Sequence, residues 1–333
     1  MQTDLIGKLK SSSVIHRHPE NPILKASDVP YKTDLVLNAG VIKFLGKYVM
    51  VFRNDIRTDE YSVQEGIHLG LAFSNDGIHW EVEPKPCFNM ADGGEFINTY
   101  DPRLMVIDGR CYMTFGCDTR HGIRGGIAVT DDFVNFELIS LSTPDNRNMV
   151  LFTQKFNNMY LRLERPFPIY GRPGYSERFD IWISDSPDLK YWGNSELLLG
   201  VEHVPYSNQK IGGGPPPIKT PKGWLTIFHA SDFNQDRGRN GYEKTWKKRY
   251  SAGIMLLDLT NPRKVVGMSK KPLIFPEAPY ETTQGYRNNV IFPTGNILED
   301  SGEVKIYYGA ADTYMCLATA DINDLINLCT EKI

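Results

Sequence analysis

The chain has 333 residues, of which 41% are hydrophobic and 23% charged, and this balance excludes an intrinsically disordered protein. Its formal net charge of −3 argues against a general nucleic-acid binder, and no apolar run is long enough to span a bilayer. The N-terminus lacks the apolar stretch of a secretory signal, and the five cysteines have neither disulfide nor zinc spacing. We therefore predict a cytoplasmic protein with free thiols, no metal, no nucleic-acid partner and no membrane attachment.

One structural unit recurs five times along the chain after residue 30. Residues 1–30 are polar and proline-punctuated, and we expect an N-terminal arm there. Each unit has a strand, a tight turn and a second strand that ends on polar groups, and a third strand follows. The five second strands, with their turns, begin at Gly46, Asp108, Asn157, Lys222 and Ser301. In three units a further turn with an aromatic residue predicts a fourth, outer strand.

This recurrence predicts an all-β protein, a five-bladed β-propeller that occupies residues 31–333. The 29 glycines, 21 prolines and many aromatic residues suit short strands and turns better than helices. Only residues 321–329 resemble a helix, and we expect one short C-terminal helix there. A two-domain β-sandwich is the structural alternative, but it does not explain why the same unit appears five times.

Polar residues occur at matching points of the five units. In a propeller the inner strands converge on the axis, so such residues face one another across one funnel. The inner strands begin with Asn38, Asp101, Asn146 and Arg147, Gly212-Gly213-Gly214, and Asn288 and Asn289. The second strands end with Arg53, Asn54 and Asp55, Glu164 and Arg165, His229, and Asp312. One such residue is usually a solvated loop residue, but five converging sets predict a functional site.

Asp101 stands directly before Pro102 at the entry to the second unit. Proline restricts the residue before it, so we expect an extended backbone at Asp101 that projects the carboxyl group into the funnel. An Asp-Pro pair is also common turn punctuation, and taken alone it favours a turn over a catalyst. Its place at the predicted axis makes Asp101 a candidate catalytic acid.

The candidate site is rich in cations that need a counter-charge. Four cationic residues meet at the predicted axis: Arg53, Arg147, Arg165 and His229. They would repel one another unless an anion lay among them, and arginine forms bidentate hydrogen bonds with phosphate or carboxylate. Tyrosines such as Tyr100 and Tyr242 are candidates for stacking on sugar faces. No His, Cys or Asp cluster has metal-ligand spacing.

Five motifs make the chain, from about residue 38 to residue 324, resemble glycoside hydrolase family 130. They are Tyr100-Asp101-Pro102-Arg103, Asn146-Arg147-Asn148, Glu164-Arg165-Pro166, Lys210-Ile211-Gly212-Gly213-Gly214-Pro215 and Tyr308-Gly309-Ala310-Ala311-Asp312-Thr313. The family comprises inverting β-mannoside phosphorylases and related β-mannosidases. The resemblance implies a five-bladed propeller, often in a homo-oligomer, with Asp101 as general acid. It also implies that Arg147, Arg165 and His229, helped by Arg53 or Arg57, hold phosphate and that Asp312 contacts sugar hydroxyls.

Together these features predict a phosphorylase that needs no cofactor and uses inorganic phosphate as co-substrate. Phosphate is already an anionic nucleophile, so cations that hold it can replace a catalytic base. By resemblance, Asp101 protonates the glycosidic oxygen of a β-mannoside oligosaccharide through a sugar hydroxyl. Phosphate then attacks the opposite face and gives α-D-mannose 1-phosphate. We assign sugar contacts to Asn38, Asp55, Tyr100, Lys210, Tyr242 and Asp312.

Two other functions compete with phosphorolysis. An inverting β-mannosidase would use water, with Asp55, Glu164 or Asp312 as the base. A non-catalytic glycan-binding propeller would bind sugar without turnover, although it has no evident need for the cationic cluster. The acceptor sugar and the choice between β-1,4 and β-1,2 linkage stay open at this stage. The loops at residues 171–178 and 232–249 are expected to decide them.

Overall fold

The computed structural model describes residues 9–57, 64–168, 178–238, 241 and 246–330, and these form five antiparallel sheets. We number the sheets as blades one to five in chain order. Blade one contains β2 (Leu35–Phe44), β3 (Lys47–Arg57), β4 (Gln64–Ser74) and β5 (Glu81–Val82). Blade two contains β6 (Phe96–Ile107), β7 (Arg110–Thr119), β8 (Gly122–Thr130) and β9 (Glu137–Leu141). Blade three contains β10 (Asn146–Leu151), β11 (Tyr160–Pro166), β12 (Ile181–Ser186) and β13 (Gly193–Leu199).

Blades four and five depart slightly from the simple four-strand meander. Blade four contains β14 (Lys210–Gly213), β15 (Ile218–Thr220), β16 (Gly223–Phe233), β17 (Lys248–Leu257) and β18 (Val265–Met268). Its inner edge is divided, since β14 and β15 both pair with β16. Blade five contains β19 (Ile291–Leu298), β20 (Glu303–Ala310), β21 (Tyr314–Asp321) and, on its outer edge, β1 (His16–Arg17). The predicted five-bladed propeller is therefore confirmed, as are the three predicted outer strands β5, β9 and β13.

Helices are few in the described part of the chain. A four-residue helix, Pro279–Thr282, precedes β19, and the predicted C-terminal helix is confirmed at Ile322–Thr330. Two three-residue 3₁₀ turns lie at Ala26–Asp28 and Val201–His203. The C-terminal helix buries Leu325, Ile326 and Cys329 against blades four and five.

The turns that join the inner two strands of a blade are of a type with a clear sequence signature, which is why the repeat can be recognised in the sequence. Leu45 and Gly46 have φ angles of 49° and 81°, and Asp108 and Gly109 have 50° and 81°. Positive φ at both central residues defines a type I′ turn, whose twist matches that of the paired strands. Asn157 and Asn158 form the same turn in blade three, with φ angles of 49° and 63°.

The ring of blades is closed by the N-terminal segment, which an ion pair ties to the short helix before blade five. Nε of Arg17 lies 2.7 Å from Oε1 of Glu281, and Nη2 donates to Oε2 at 3.0 Å. Glu281 is fully buried and also accepts a hydrogen bond from the hydroxyl of Tyr308 at 2.9 Å. Arg17 belongs to β1, which pairs with β21. Part of residues 1–30 thus supplies the outer strand of the last blade.

Replacing Arg17 by Met should lower the free energy of unfolding by about 3 kcal/mol, since the buried carboxylate of Glu281 would lose its partner. Urea denaturation measures this quantity directly. Arg110→Met is the matched control, because its pair with Asp131 lies on the surface, at 47% and 60% side-chain exposure. We expect little change from the control. Equal losses in the two variants would contradict a closing role for the Arg17 pair.

Candidate active site

The inner strands of blades one, two and three carry a β-bulge at the same level. The bulges lie at Asn38 in β2, at Asp101 in β6 and at Asn148 in β10. Their φ angles are 50°, 52° and 57°, in the left-handed region. A bulge turns a side chain away from the ordinary alternation of a strand and is frequent beside active sites. All three side chains line one cavity at the propeller axis.

The extended backbone expected at Asp101 is wrong, because its φ of 52° is left-handed. The pairing of β6 with β7 shifts register between Tyr100 and Arg103, so an extra residue is accommodated there. The preference of a residue before proline for extended backbone is a local one. The bulge overrides it, and the carboxyl group still reaches the cavity.

The cavity has a volume of about 450 Å³ and receives side chains from all five blades. One half contains acids that are each held by an arginine. Nη1 of Arg53 lies 3.3 Å from Oδ1 of Asp101, while its Nε and Nη2 bind the two oxygens of Asp55 at 2.7 and 2.8 Å. Nη1 of Arg287 donates to Oδ2 of Asp312 at 3.1 Å. Each of these acids therefore already has an arginine partner within the protein.

Asp101 is held in its ionised form by the groups around it. Burial by itself raises the pKa of this carboxyl. The charges of Arg53 and Arg103 and a hydrogen bond from Asn38 lower the pKa by a larger amount. The balance leaves the pKa of Asp101 below its ordinary value. Nδ2 of Asn38 donates that bond to Oδ1 at 2.8 Å. Burial dominates at Asp312, whose pKa is raised.

The other half of the cavity is cationic and contains Arg147, Arg165 and Lys210. Among the described residues, no carboxylate lies within 4.0 Å of their charged nitrogens. Burial and the adjacent Arg147 lower the pKa of Arg165 to about 9. Burial, then Lys248 and the two arginines, lower the pKa of Lys210 to about 7. Burial lowers the pKa of Arg147, but Tyr100 and Asp101 raise it by a larger amount, so the pKa is raised overall and this residue stays charged. An anion bound among these three cations would favour their charged forms.

Two groups behind the wall orient these arginines. Nη1 of Arg165 lies 3.0 Å from Nε2 of His229, a fully buried imidazole. Burial and the nearby arginines hold the pKa of His229 well below its ordinary value, so its neutral ring accepts the bond. Nη1 of Arg147 donates at 3.5 Å to the hydroxyl of Tyr100, which donates to Asp118 at 2.7 Å. Each arginine is thus oriented by a buried ring.

The structure divides the residues proposed from sequence into two sets. Seven line the cavity: Asn38, Arg53, Asp101, Arg147, Arg165, Lys210 and Asp312. Three lie behind it and contact lining arginines: Asp55, Tyr100 and His229. Tyr242 lies outside the described residues. Lys210, assigned to sugar, lies with the cations instead.

Sequence reasoning missed several residues at the cavity rim. Trp246 stacks on Tyr250 with 5.9 Å between ring centroids, and the guanidinium of Arg287 lies 4.6 Å from the Trp246 ring. Phe233, at the end of β16, is 41% exposed and lies on the same rim. Asn148 was detectable, since it follows Arg147 at the place that Asn38 and Asp101 occupy in their blades. Phe233 and Trp246 lie within residues 232–249, the segment expected to decide the acceptor sugar, but no motif marked either of them as a residue that lines the cavity.

A propeller whose axial cavity holds a buried acid beside cations without carboxylate partners among the described residues has the features of a carbohydrate-active enzyme. The chain belongs to glycoside hydrolase family 130, which confirms the resemblance. Residues 11–331 match the model of this family, described as β-1,4-mannooligosaccharide phosphorylase.

Relatives of established name span almost the whole chain. A β-1,4-mannooligosaccharide phosphorylase of Ruminococcus albus is 33% identical over 94% of this chain and 90% of the relative. A 1,2-β-oligomannan phosphorylase of a Thermoanaerobacter species is 31% identical over 93% of this chain and 98% of its own. The solved β-1,2-mannobiose phosphorylase of Listeria innocua, in complex with β-1,2-mannobiose, superposes with a TM-score of 0.80. It is 26% identical and covers 95% of this chain and 99% of its own.

The described residues contain neither a membrane-spanning helix nor a metal-binding cluster. No helix in this part of the chain is long and apolar enough to cross a membrane. Within the same residues, no group of three or more His, Cys, Asp or Glu side chains could hold a metal ion.

Replacing Asn38 by Ala should raise the pKa of Asp101, since the ionised carboxylate would lose the hydrogen bond that favours it. Carboxyl-carbon NMR titration of the protein without ligands measures this pKa. Asn148→Ala is the matched control, because Asn148 occupies the equivalent bulge with a similar φ and loses a comparable conformational preference. The control should leave the pKa of Asp101 unchanged. An unchanged pKa in Asn38→Ala would rule out this role of the amide.

Proposed function

We propose that this protein is a glycoside phosphorylase that cleaves a β-mannosidic bond with inorganic phosphate and inverts the anomeric configuration. The products are α-D-mannose 1-phosphate and a shortened sugar. The observation that carries the proposal is the pocket of Arg147, Arg165 and Lys210, which has no carboxylate partner among the described residues and adjoins Asp101. The names of the relatives, all phosphorylases of β-mannosides, support it.

The three carboxylates that could serve a hydrolase as base are each bound to an arginine. Asp55 is held by Arg53 and Asp312 by Arg287. Glu164 lies 2.6 Å from Arg162 inside blade three, and Asn146 and Ser195 also donate to it. An inverting hydrolase needs a free carboxylate about 6.5–9.5 Å from its acid to activate water. These pairings favour phosphate over water as the nucleophile.

The proposed reaction uses the two halves of the cavity in turn. Phosphate binds in the cationic half and the mannosyl unit lies beside Asp101. Asp101 gives its proton to the glycosidic oxygen, through a sugar hydroxyl as the family resemblance implies, and this oxygen leaves with the bonding electron pair. A phosphate oxygen attacks the anomeric carbon from the opposite face and forms the new C–O bond. The bound anion offsets the arginine charges and so raises the pKa of Asp101, which favours its acidic form.

The proposal gives two residues roles that differ from their sequence assignments. His229 acts through Arg165, since its ring is buried and its Nε2 accepts a bond from that guanidinium. Lys210 binds phosphate instead of sugar, because its ammonium group lies among Arg147, Arg165 and Lys248. An anion among these cations would restore the pKa of Lys210 towards its ordinary value.

We further propose that the protein works in the cytoplasm. All five cysteines are free, and four of them are buried, which suits the reducing cytoplasm. The partners are a β-mannoside oligosaccharide and inorganic phosphate, with no cofactor. Assembly into a homo-oligomer stays a prediction.

Mannosyl disaccharides with β-1,4 and β-1,2 linkages, incubated with and without phosphate, test this function. We expect α-D-mannose 1-phosphate to form only when phosphate is present, and Asp101→Asn to slow its formation by about a thousandfold. Release of free mannose at a rate independent of phosphate would identify a hydrolase. Sugar binding without any turnover, unchanged in Asp101→Asn, would identify a glycan-binding propeller.

Arg165→Ala and Lys210→Met should each raise the KM for phosphate about tenfold or more, because each removes a charged partner of the anion. The KM for the mannoside should change much less. Initial rates measured over both substrate concentrations separate the two constants. Arg124→Ala is the control, since Arg124 pairs with Glu95 outside the cavity lining. A larger effect of Lys210→Met on the mannoside KM would restore Lys210 to the sugar site.

A further inference from the structure

Arg103 is a buried cation with only backbone partners. It is 1% exposed and does not line the cavity. Its Nη1 donates to the carbonyl of Asp101 at 2.9 Å, its Nε to the carbonyl of Gly214 at 2.8 Å and its Nη2 to that of Gly213 at 3.1 Å. No carboxylate side chain in the described part of the chain lies within 4.0 Å of it. Burying an uncompensated charge is costly, so this arginine needs a reason beyond packing.

Arg103 binds the carbonyls of Gly213 and Gly214, and the strand that leads into them packs, through the neighbouring Gly212, against the proposed anion pocket. Gly212 and Gly213 belong to β14, which pairs with β16, and Gly212 lies opposite His229 of that strand. A Cβ on Gly212 would lie 2.5 Å from Cε1 of His229 and 3.3 Å from Cδ of Arg165. Both side chains therefore pack directly on this strand. The guanidinium of Arg103 thus joins the bulge of Asp101 in blade two to the end of β14 in blade four, the strand against which the side chains of Arg165 and His229 pack.

We propose that Arg103 is a positioning residue that sets the general acid and the phosphate pocket at a fixed separation. This inference rests on the proposed phosphorolysis. A planar guanidinium with three donors in fixed directions can hold one carbonyl on one side of the axis and two on the other. Lysine would keep the charge but could not reproduce that fork. In-line attack depends on such placement, since a 1 Å error can slow a reaction by about a hundredfold.

The charge of Arg103 also reaches both halves of the site. The charged groups that face the Asp101 carboxyl are Arg53 from β3, Arg147 from β10, Arg165 from β11, Asp312 after β20, and Arg103 itself. Burial lowers the pKa of Arg103 to about 10, and Asp101 raises it while Arg147 lowers it. The same charge lowers the pKa of Asp101 and those of Arg165 and His229. Two substitutions of Arg103 can therefore separate the effect of its hydrogen-bond geometry from the effect of its charge.

Arg103→Lys keeps the positive charge but loses the planar set of donors that binds the three carbonyls. We expect kcat to fall about a hundredfold, with the high-pH limb of the kcat profile, which reports the acid in the phosphate-bound complex, in its wild-type place. Arg103→Gln removes the charge as well. Because that charge lowers the pKa of Asp101, its loss raises this pKa. The acid then stays protonated to higher pH, so the limb moves to higher pH in this variant.

The experiment begins with the wild-type enzyme and phosphate-dependent release of α-D-mannose 1-phosphate, whose absence would refute the proposed function. Carboxyl-carbon NMR titration of Asp101 in the ligand-free variants tests the charge effect without any activity. Arg124→Gln is the control, since it removes a part-buried arginine that also donates to a backbone carbonyl, that of Ser142 at 2.7 Å, outside the cavity lining. It should leave the limb and the pKa of Asp101 unchanged, and thermal unfolding shows that each variant is folded.

Two results would overturn the inference in an active wild-type background. One is a folded Arg103→Lys with the kcat of the wild type, which would remove the positioning role. The other is a folded Arg103→Gln in which the pKa of Asp101 and the pH limb do not move. Should Arg103→Gln fail to fold, the kcat of Arg103→Lys decides alone. A fall in kcat with a phosphate KM close to that of wild type supports a role in positioning over one in phosphate binding.

Discussion

Repulsion among buried cations is the constraint on which the arrangement of this site depends. Arg147, Arg165 and Lys210 lie in one half of the axial cavity without a carboxylate partner among the described residues. Such a cluster is unfavourable in the protein alone and becomes favourable when an anion enters. Buried neutral groups, above all the imidazole of His229, hold the arginines in place without cancelling their charge. The five packed blades fix the positions of these side chains, so the cations stay close together despite their repulsion.

In the acidic half of the cavity the charged groups are paired with one another, whereas in the cationic half they are not. The two halves therefore differ in charge. Asp55, Asp101 and Asp312 all lie against arginines, so none of them neutralises the cationic half. The anion pocket stays available because these acids already have partners. Arg103 lies between the halves, below the cavity wall, and contacts Asp101 and the glycine strand of blade four. The chemistry thus depends on how charge is divided across one small cavity.

Much of the fold could be predicted because its signals are local. The Asp108-Gly109 and Asn157-Asn158 turns, the alternation of apolar residues and the fivefold spacing all appear in the linear sequence. The resemblance to the family added the roles that we propose for Asp101, Arg147 and Arg165. The conformation of Asp101 could not be obtained in this way, since the bulge depends on how β6 pairs with β7. The pairing of β1 with β21 joins residues about 300 positions apart, beyond the reach of local patterns.

By itself, the sequence determined the β-propeller class, the five repeats and the polar residues that meet at the axis, because each depends on near-neighbour patterns. The tertiary structure alone decided which of those residues face the cavity and which lie behind it. Lys210 and His229 show why: whether a cation meets substrate or another side chain depends on burial and on charges from other blades. Asp101 entered as an acid before a proline. The fold placed it in a left-handed bulge, bound to Asn38 and Arg53, beside a pocket for an anion.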